Sequence, residues 1–151
     1  MSNRGIEVRQ ATVEDLDLLA PLFDAYRQFY RQPGDPERAR RFLLDRFSHN
    51  QSVIFLACAD GAAIGFTQLY PSFSSVRMAR IFILNDLFVA PEGRGRGAGS
   101  ALLEAAAEYG RRVGAVRLVL STEATNATAQ AVYEKMGWKR DTAFWVYELS
   151  L

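Results

Sequence analysis

The stretch "VAPEGRGRGAGSALLEAA", residues 89–106, decides the fold, because an apolar strand end runs through a glycine-rich turn directly into a strong helix former. Residues 93–99 hold four glycines and two arginines, whereas one glycine would satisfy a tight turn. A glycine turn that opens a helix presents unpaired N–H groups at the positive end of the helix dipole. Arg94 and Arg96 add fixed charge, and arginine makes paired hydrogen bonds to phosphate oxygens. The stretch therefore predicts a site for a phosphate group.

Two common nucleotide-binding motifs match these glycines poorly. A P-loop needs a lysine and then Ser or Thr directly after its last glycine. Here Gly97 is followed by Ala98, Gly99 and Ser100, with no lysine among them. The dinucleotide pattern G-x-G-x-x-A is matched by Gly93, Gly95 and Ala98, with Glu123 after the next strand. However, that pattern belongs to the first strand-helix-strand unit of a repeated array, which is not its position here. A solvated turn or an Arg-Gly nucleic-acid contact is disfavoured because the tract is short and the formal net charge is only +1.

The hydrophobic periods outward from this stretch predict the remaining elements. Before it we expect a strand in "GIEVRQAT", a helix capped at Thr12 and kinked or divided at Pro21, a helix opened by Asp35-Pro36, a hairpin at Asp60-Gly61 and the long strand "VRMARIFILNDLFVAP". After it we expect a helix from about Ser100 to Arg112, the strand "AVRLVLST" buried on both faces, the helix "NATAQAVYEKMG" and one or two closing strands in "WKRDTAFWVYELSL". The order predicts a single α/β domain over residues 1–151, a mixed sheet with helices on both faces.

Composition excludes several function classes. With 49% apolar and 23% charged residues the chain has the balance of a globular protein, and its charge of +1 predicts no nucleic-acid or membrane partner. One cysteine and one histidine do not supply a metal cluster, so we expect no metal site. The N-terminal "MSNRGIEVRQ" lacks the apolar core of a signal peptide, and no run is long enough for a membrane span. We therefore expect a cytoplasmic protein.

Two motifs resemble the signatures of the GNAT superfamily of N-acetyltransferases. "VAPEGRGRGAGSALL" is similar to the main signature R/Q-x-x-G-x-G/A, with Arg94, Gly97 and Gly99 at its fixed positions. "NATAQAVYEKMGW" is similar to the second signature, in which an Asn, a Tyr seven residues later and a closing Gly-aromatic pair recur. The predicted element order also resembles that family over nearly the whole chain. One departure is Gly93, where the family more often has a bulky residue.

The resemblance implies that acetyl-CoA (coenzyme A) is the cofactor and that the sheet is mostly antiparallel, twisted and splayed at the cofactor site. Its pyrophosphate would lie on the amides of the glycine loop, and its pantetheine would pair like an extra strand with the edge of the preceding strand, where an N–H near Phe88 would face the thioester carbonyl. The implied cofactor-binding residues are Leu87, Phe88, Val89, Arg94, Gly95, Arg96, Gly97, Ala98, Gly99, Ser100, Asn126 and Tyr133. Asn126 would cap its helix, hold the cofactor, or do both.

Two catalytic residues are implied. An alkylammonium with a pKa near 10.4 is deprotonated to only about one part in a thousand at pH 7, which costs ~4 kcal/mol, so a base must accept its proton. Asp86, before the bulged end of the long strand, would hold the ammonium and remove that proton through a water. A structural carboxylate is the alternative for Asp86. Tyr133 lies where the family has a phenol that protonates the departing sulfur.

The segment "GFTQLYPSFSSVRMARIFILNDLFV" looks most like the small polyamine and diamine acetyltransferases and their protein- and amino-acid-acetylating relatives, although Asn85 stands where the polyamine enzymes often have a second acid. The predicted acceptor is a primary amine of a small molecule: a polyamine, a diamine or an amino acid. The acceptor side of the site would be lined by Tyr26, Tyr30 and residues 70–73, unless these residues belong to the core. A protein or peptide lysine acetyltransferase and a non-catalytic acyl-CoA sensor remain alternatives. The apolar "AFWVYELSL" and the resemblance predict a homodimer.

Overall fold

A computed structural model describes residues 5–151 of the chain. Met1 to Arg4, the first part of the "MSNRGIEVRQ" stretch, lie outside the described residues. The chain forms two compact units, of which the first ends at Ser121 and the second covers residues 122–151. The single domain expected over residues 1–151 stays a prediction.

Five strands and four α-helices make up the regular structure of the described residues, apart from two short 3₁₀-helices at Val13–Asp15 and Pro91–Gly93. In chain order they are β1 (Ile6–Gln10), α1 (Leu16–Phe29), α2 (Pro36–Ser48), β2 (Val53–Ala59), β3 (Ala62–Ser74), β4 (Ala79–Val89), α3 (Ala98–Arg112), β5 (Leu118–Val119) and α4 (Ala127–Lys135). The strands form one sheet in the order β1-β2-β3-β4-β5. The first four are antiparallel to their neighbours, and β5 runs parallel to β4. The predicted fold class, a mixed and mostly antiparallel α/β sheet, is confirmed.

The predicted helix caps and the predicted hairpin turn are confirmed. Thr12 and Asp15 form a capping box before α1, and the Asp35 side chain accepts from the N–H of Arg38 at the start of α2. The β2–β3 hairpin turns at Asp60 and Gly61, whose φ angles of 52° and 79° are those of a type I′ turn. Pro21 does not divide α1, because the helix is continuous from Leu16 to Phe29.

Helices cover both faces of the sheet in the first unit, as predicted. Helices α1 and α2 pack on one face, where Phe23 meets Phe66 of β3 with ring centroids 6.2 Å apart. Helix α3 packs on the other face, where Tyr109 lies 5.7 Å from the ring of Phe55 on β2. Because side chains alternate along a strand, the neighbour of Phe55, Leu56, joins the α1–α2 core instead. The candidate functional site lies on the α1–α2 face.

Two strand predictions are wrong. The stretch "AVRLVLST" forms only the two-residue β5, and Val116 and Val119 are 38% and 39% exposed rather than buried. Its ladder with β4 covers Phe82 and Ile83 and stops short of an extra residue at position 85, which breaks regular pairing. Residues 138–151 lie outside helix and strand, because an alternating apolar pattern needs a second strand before it can form a ladder.

The second unit contains α4, which ends as predicted before Gly137, a glycine with a φ of 95°. Its C-terminal apolar side chains are each at least 80% exposed: Phe144, Trp145, Val146, Tyr147, Leu149 and Leu151. Among residues 5–151, no helix has the length and apolar character that a bilayer crossing requires.

Candidate active site

A β-bulge in β4 creates the centre of the candidate site. Gln68 of β3 pairs with Asp86, and the next residue of β3, Leu69, pairs with Leu84. Asn85 is therefore an extra residue in β4 that has no partner in β3. The bulged strand end that the resemblance implied beside Asp86 is present.

The bulge reverses which face of the sheet the later residues of β4 meet. Phe82 packs against Tyr109 of α3, with ring centroids 5.6 Å apart. Phe88 lies an even number of residues further on and would share that face in a regular strand. Instead it packs against Tyr26 of α1, with centroids 6.1 Å apart. The extra residue at Asn85 thus turns the end of β4, including Asp86, toward the α1–α2 face.

Asp86 is a buried carboxylate, 2% exposed, that is held by protein donors. Gln68 Nε2 donates to Oδ2 at 2.5 Å, and Asn85 Nδ2 donates to Oδ1 at 2.9 Å. Burial raises the pKa of the Asp86 carboxyl above its usual range, and the hydrogen bonds from Gln68, Asn85 and Tyr26 oppose that rise. A carboxylate with a raised pKa is a stronger base than a solvated aspartate, as proton removal requires.

A cavity of about 330 Å³ opens in front of this carboxylate. Its size falls at the lower end of the range of small-molecule sites, roughly 300–1,000 Å³. Aromatic residues contribute four of the nine lining residues, and three others are charged. The lining residues are Phe23, Tyr26, Arg27, Arg38, Ala39, Phe42, Tyr70, Asn85 and Asp86.

Two phenols line the cavity close to Asp86. Burial and the nearby Asp86 carboxylate raise the pKa of Tyr26 and of Tyr70, so both phenols stay neutral near pH 7. The Tyr26 hydroxyl also donates to the carbonyl of Asn85 at 3.3 Å, which joins α1 to the bulge. Of the aromatics proposed from sequence for the acceptor side, Tyr26 and Tyr70 line the cavity, whereas Phe73 is 66% exposed.

The glycine loop ends at the N-terminus of α3. Gly97 has a φ of 84°, in the left-handed region that favours glycine, and α3 begins at the next residue. Ala101 donates to the carbonyl of Gly97 at 3.0 Å, so the amides of Ala98, Gly99 and Ser100 precede the first hydrogen bond of the helix. A Cβ at Gly99 would have only Val89 Cγ2 near it, at 4.0 Å. The residues therefore fit a diphosphate, because an anion has an open approach to these amides.

The two arginines of the loop contact protein groups. Arg94 Nε donates to the carbonyl of Val89 at 3.1 Å, and Arg96 lies 3.4 Å from Asp60 Oδ2. Gly93 is buried, and a Cβ there would lie 2.7 Å from Ile64 Cβ. This contact explains why a bulky residue, usual in the family at this position, is absent here.

The last part of β4 is an open edge within the first unit. Among the described residues of that unit, 5–121, β5 pairs only with Phe82 and Ile83, so the β4–β5 ladder ends there. The carbonyl of Phe88 points toward β3, because it would lie 2.8 Å from a Cβ at Gly65. Backbone groups alternate in direction along an antiparallel ladder, so those of Leu87 and Val89 point to the open side.

The remaining candidate residues belong to the second unit. Asn126 caps α4, with its Oδ1 accepting from the N–H of Ala129 at 3.1 Å, so the capping role expected for it is present. Tyr133 lies on α4, and its ring centroid is 6.2 Å from that of Trp138. The first unit by itself brings together Asp86, the open edge of β4 and the glycine loop. The role predicted for Tyr133 stays a prediction.

Sequence reasoning missed the polar and charged groups around Asp86. Gln68 lies on β3, and Arg27 and Arg38 lie on α1 and α2, far from Asp86 in the chain. Gln68 has a usable signal, since a polar residue in the apolar strand "AAIGFTQLY" predicts a buried partner. The arginines have none, because surface arginines are usual on amphipathic helices.

Comparison with known proteins identifies relatives over most of the chain. Residues 19–138 match the family described as acetyltransferase (GNAT). The uncharacterized N-acetyltransferase YhfO of Bacillus subtilis is 49% identical over 146 residues, covering 97% of this chain and 98% of that protein. A probable acetyltransferase of Haemophilus influenzae is 34% identical over 141 residues, covering 91% and 92%. A crystal structure of a probable acetyltransferase superimposes with a TM-score of 0.92 at 46% identity, covering 96% of this chain and 97% of the other.

Proposed function

Because the chain belongs to the acetyltransferase (GNAT) family, we propose that it transfers the acetyl group of acetyl-CoA to a primary amine of a small molecule, by direct attack in a ternary complex. The acceptor is a polyamine, a diamine or an amino acid. The observation that carries this proposal is the buried Asp86 carboxylate, which lines a small aromatic cavity beside an open strand edge. A cavity of about 330 Å³ suits a small acceptor better than a peptide chain, which needs an open groove.

The cofactor site combines the helix N-terminus and the strand edge. The amides of Ala98, Gly99 and Ser100 would hold diphosphate oxygens at the positive end of α3. The outward-pointing amides of Leu87 and Val89 would hold the pantetheine arm and the acyl oxygen, a type of contact worth about 3 kcal/mol in acyl transfer. Bound acetyl-CoA supplies an acetyl group activated as a thioester.

The chain's own groups would move the protons. Asp86 would bind the ammonium of the acceptor and accept its proton, directly or through a water, so that the neutral nitrogen attacks the acyl carbon. The Tyr133 phenol would give its proton to the leaving sulfur, because the proton affinities of a phenolate and a thiolate are similar. The attacking nitrogen loses a further proton to solvent as the amide forms, and the proton held by Asp86 returns through solvent to the phenol, so both groups begin the next cycle unchanged.

A thiol-release assay with acetyl-CoA and a panel of polyamines, diamines, amino acids and lysine peptides tests this function, with mass spectrometry of the acetylated product. We expect release with small amines. Release with lysine peptides alone would favour a protein acetyltransferase. Binding of acetyl-CoA by calorimetry with no release for any acceptor would favour an acyl-CoA sensor and contradict the proposal.

We further propose that the chain acts in the cytoplasm as a homodimer. The apolar side chains from Phe144 to Leu151 support the dimer, since monomeric proteins rarely expose contiguous apolar surface of that extent. Sedimentation of the whole chain should show a dimer, and Trp145→Glu should shift it toward monomer. A monomeric wild type at micromolar concentration would contradict the dimer.

A further inference from the structure

The cavity in front of Asp86 contains charge of both signs. Asp86 is its acidic lining residue, at the bulge of β4, and Arg27 and Arg38 are its basic lining residues, on the α1–α2 side. These arginines would repel a polyamine or a diamine, because every nitrogen of such a ligand is cationic near pH 7. The lining instead matches a ligand with one positive and one negative group.

Arg27 is already neutralised by the protein. It lies 3.6 Å from Asp24 Oδ1 and donates to the carbonyl of Pro33 at 3.1 Å. Asp24 is buried and also accepts from the N–H of Asp35 at 2.8 Å and from Gln28 at 3.1 Å. Arg27 is therefore a fixed part of the wall, and its charge is balanced inside the fold.

Arg38 differs from Arg27 in this respect. Its backbone N–H donates to Asp35 Oδ1 at 3.2 Å, and this hydrogen bond caps the N-terminus of α2. Its guanidinium forms no ion pair with any carboxylate of residues 5–151, although it lines the cavity. A planar guanidinium presents a fork of donors that binds a carboxylate in two places. Arg38 is thus the group of this wall that can receive an anionic part of a ligand.

A third arginine, Arg46, adds positive potential next to the same wall. Arg46 stacks over the ring of Phe42, with its central carbon 4.3 Å from the centroid. Its Nε is buried and has no hydrogen-bond partner among the described residues. Because Phe42 lines the cavity, Arg46 and Arg38 together make the α2 side of the cavity basic.

We propose that the acceptor is an amino acid or a similar small amino carboxylate, with its amine at Asp86 and its carboxylate at Arg38. This inference rests on the proposed acetyl transfer and narrows its substrate class. The rings of Phe23, Phe42 and Tyr70 carry the apolar part of the ligand. Arg38 is then a specificity-determining residue, because it distinguishes an amino acid from the amine that lacks the carboxylate.

The test compares acceptors in pairs that differ by the carboxylate: lysine with cadaverine, and phenylalanine with phenethylamine. Thiol release from acetyl-CoA is measured for each pair with the wild type, Arg38→Gln and Arg40→Gln. Arg40 is the matched control, since it lies on the same helix but pairs with the exposed Asp17 at 3.3 Å. We expect kcat/KM to be at least about tenfold higher for an amino acid than for its partner amine. The difference should come from a lower KM, because Arg38 forms a charged pair with the carboxylate of the amino acid.

In Arg38→Gln this advantage should fall to near unity, because the amino acid loses more kcat/KM than its partner amine, and Arg40→Gln should keep the advantage. Release with equal or better rates for the decarboxylated amines would overturn the amino-acid inference and leave the acetyl transfer intact. Equal loss for both members of a pair in Arg38→Gln would overturn the role of Arg38. No release with any acceptor contradicts the proposed function itself, which is a separate result.

Discussion

Gln68 donates its side-chain amide to the carboxylate of Asp86 across the β3–β4 pair, at 2.5 Å from Nε2 to Oδ2. Both side chains are buried, at 0% and 2% exposure, so the carboxylate is held by the protein rather than by bulk water. Asn85, the extra residue of the bulge, donates to the other carboxylate oxygen. A buried acid fixed on both oxygens has a defined direction, which a proton acceptor needs.

Asp86→Asn should lower kcat/KM by about 100-fold or more, because general-base assistance contributes roughly 10²–10⁴-fold. Asp17→Asn is the matched control, since that carboxylate is exposed on α1 and should leave the rate unchanged. The measurement is initial-rate thiol release at pH 7. Near-normal turnover in Asp86→Asn would make Asp86 a structural carboxylate.

Gln68→Met should shift the pH profile of kcat/KM. The hydrogen bond from Gln68 lowers the pKa of Asp86, so its loss should move the acidic limb of the profile to higher pH. Gln10→Met on β1, an exposed strand position, is the control. A lower rate with an unmoved limb would show that Gln68 acts only in packing.

Local signals in the chain predicted the parts of the fold that depend on neighbouring residues. The hairpin at Asp60-Gly61 and the start of α3 after Gly97 follow from backbone conformations that few other residues adopt. The resemblance placed Asp86 beside a bulge. Gln68 and Arg38 were not predicted, because their approach to Asp86 results from strand register and from the packing of helices on the sheet.

The failures concern segments whose structure depends on a distant partner. An apolar run such as "AVRLVLST" has strand propensity, but the length of its ladder is set by β4, which departs from regular pairing at Asn85. The alternation in residues 138–151 likewise indicates propensity alone. Propensity is a property of the segment, whereas a ladder belongs to two segments, so periodicity could not predict its extent.

Gly99→Ala should weaken acetyl-CoA binding by about tenfold or more, because the added methyl group obstructs the anion's approach to the loop amides, whose charge-assisted hydrogen bonds are worth roughly 1.5–3 kcal/mol. The fold should tolerate the change, because the added Cβ has no neighbour closer than Val89 Cγ2 at 4.0 Å. Gly110→Ala in the same helix is the control, where the new Cβ meets Leu118 at 3.4 Å. Calorimetry and thermal unfolding separate the two effects. Unchanged affinity in Gly99→Ala would remove this turn from the cofactor site.

Tyr133→Phe should lower kcat with little change in acetyl-CoA affinity, because it removes only the proton proposed for the leaving sulfur. Tyr147→Phe is the control, since Tyr147 is also in the second unit and is 91% exposed. The measurement pairs thiol release with calorimetry. Weaker cofactor binding with normal turnover would assign Tyr133 to binding rather than to proton donation.

Asp15→Asn should destabilise the fold by about 1 kcal/mol at pH 7, because it removes the charge that pairs with Arg9, which is half exposed, while Asn can still cap. Arg9 donates to both oxygens of Asp15 at 2.8 Å, and this contact lowers the pKa of the carboxyl from its ordinary 3.8. The wild-type advantage is therefore present above pH 3.8 and is lost as the pH falls through the lower folded-state pKa. Urea unfolding at pH 7 and pH 3 measures the difference in unfolding free energy between the wild type and Asp15→Asn, with Asp17→Asn as the exposed control. An advantage that grows toward acid would show that the ion pair does not set this pKa.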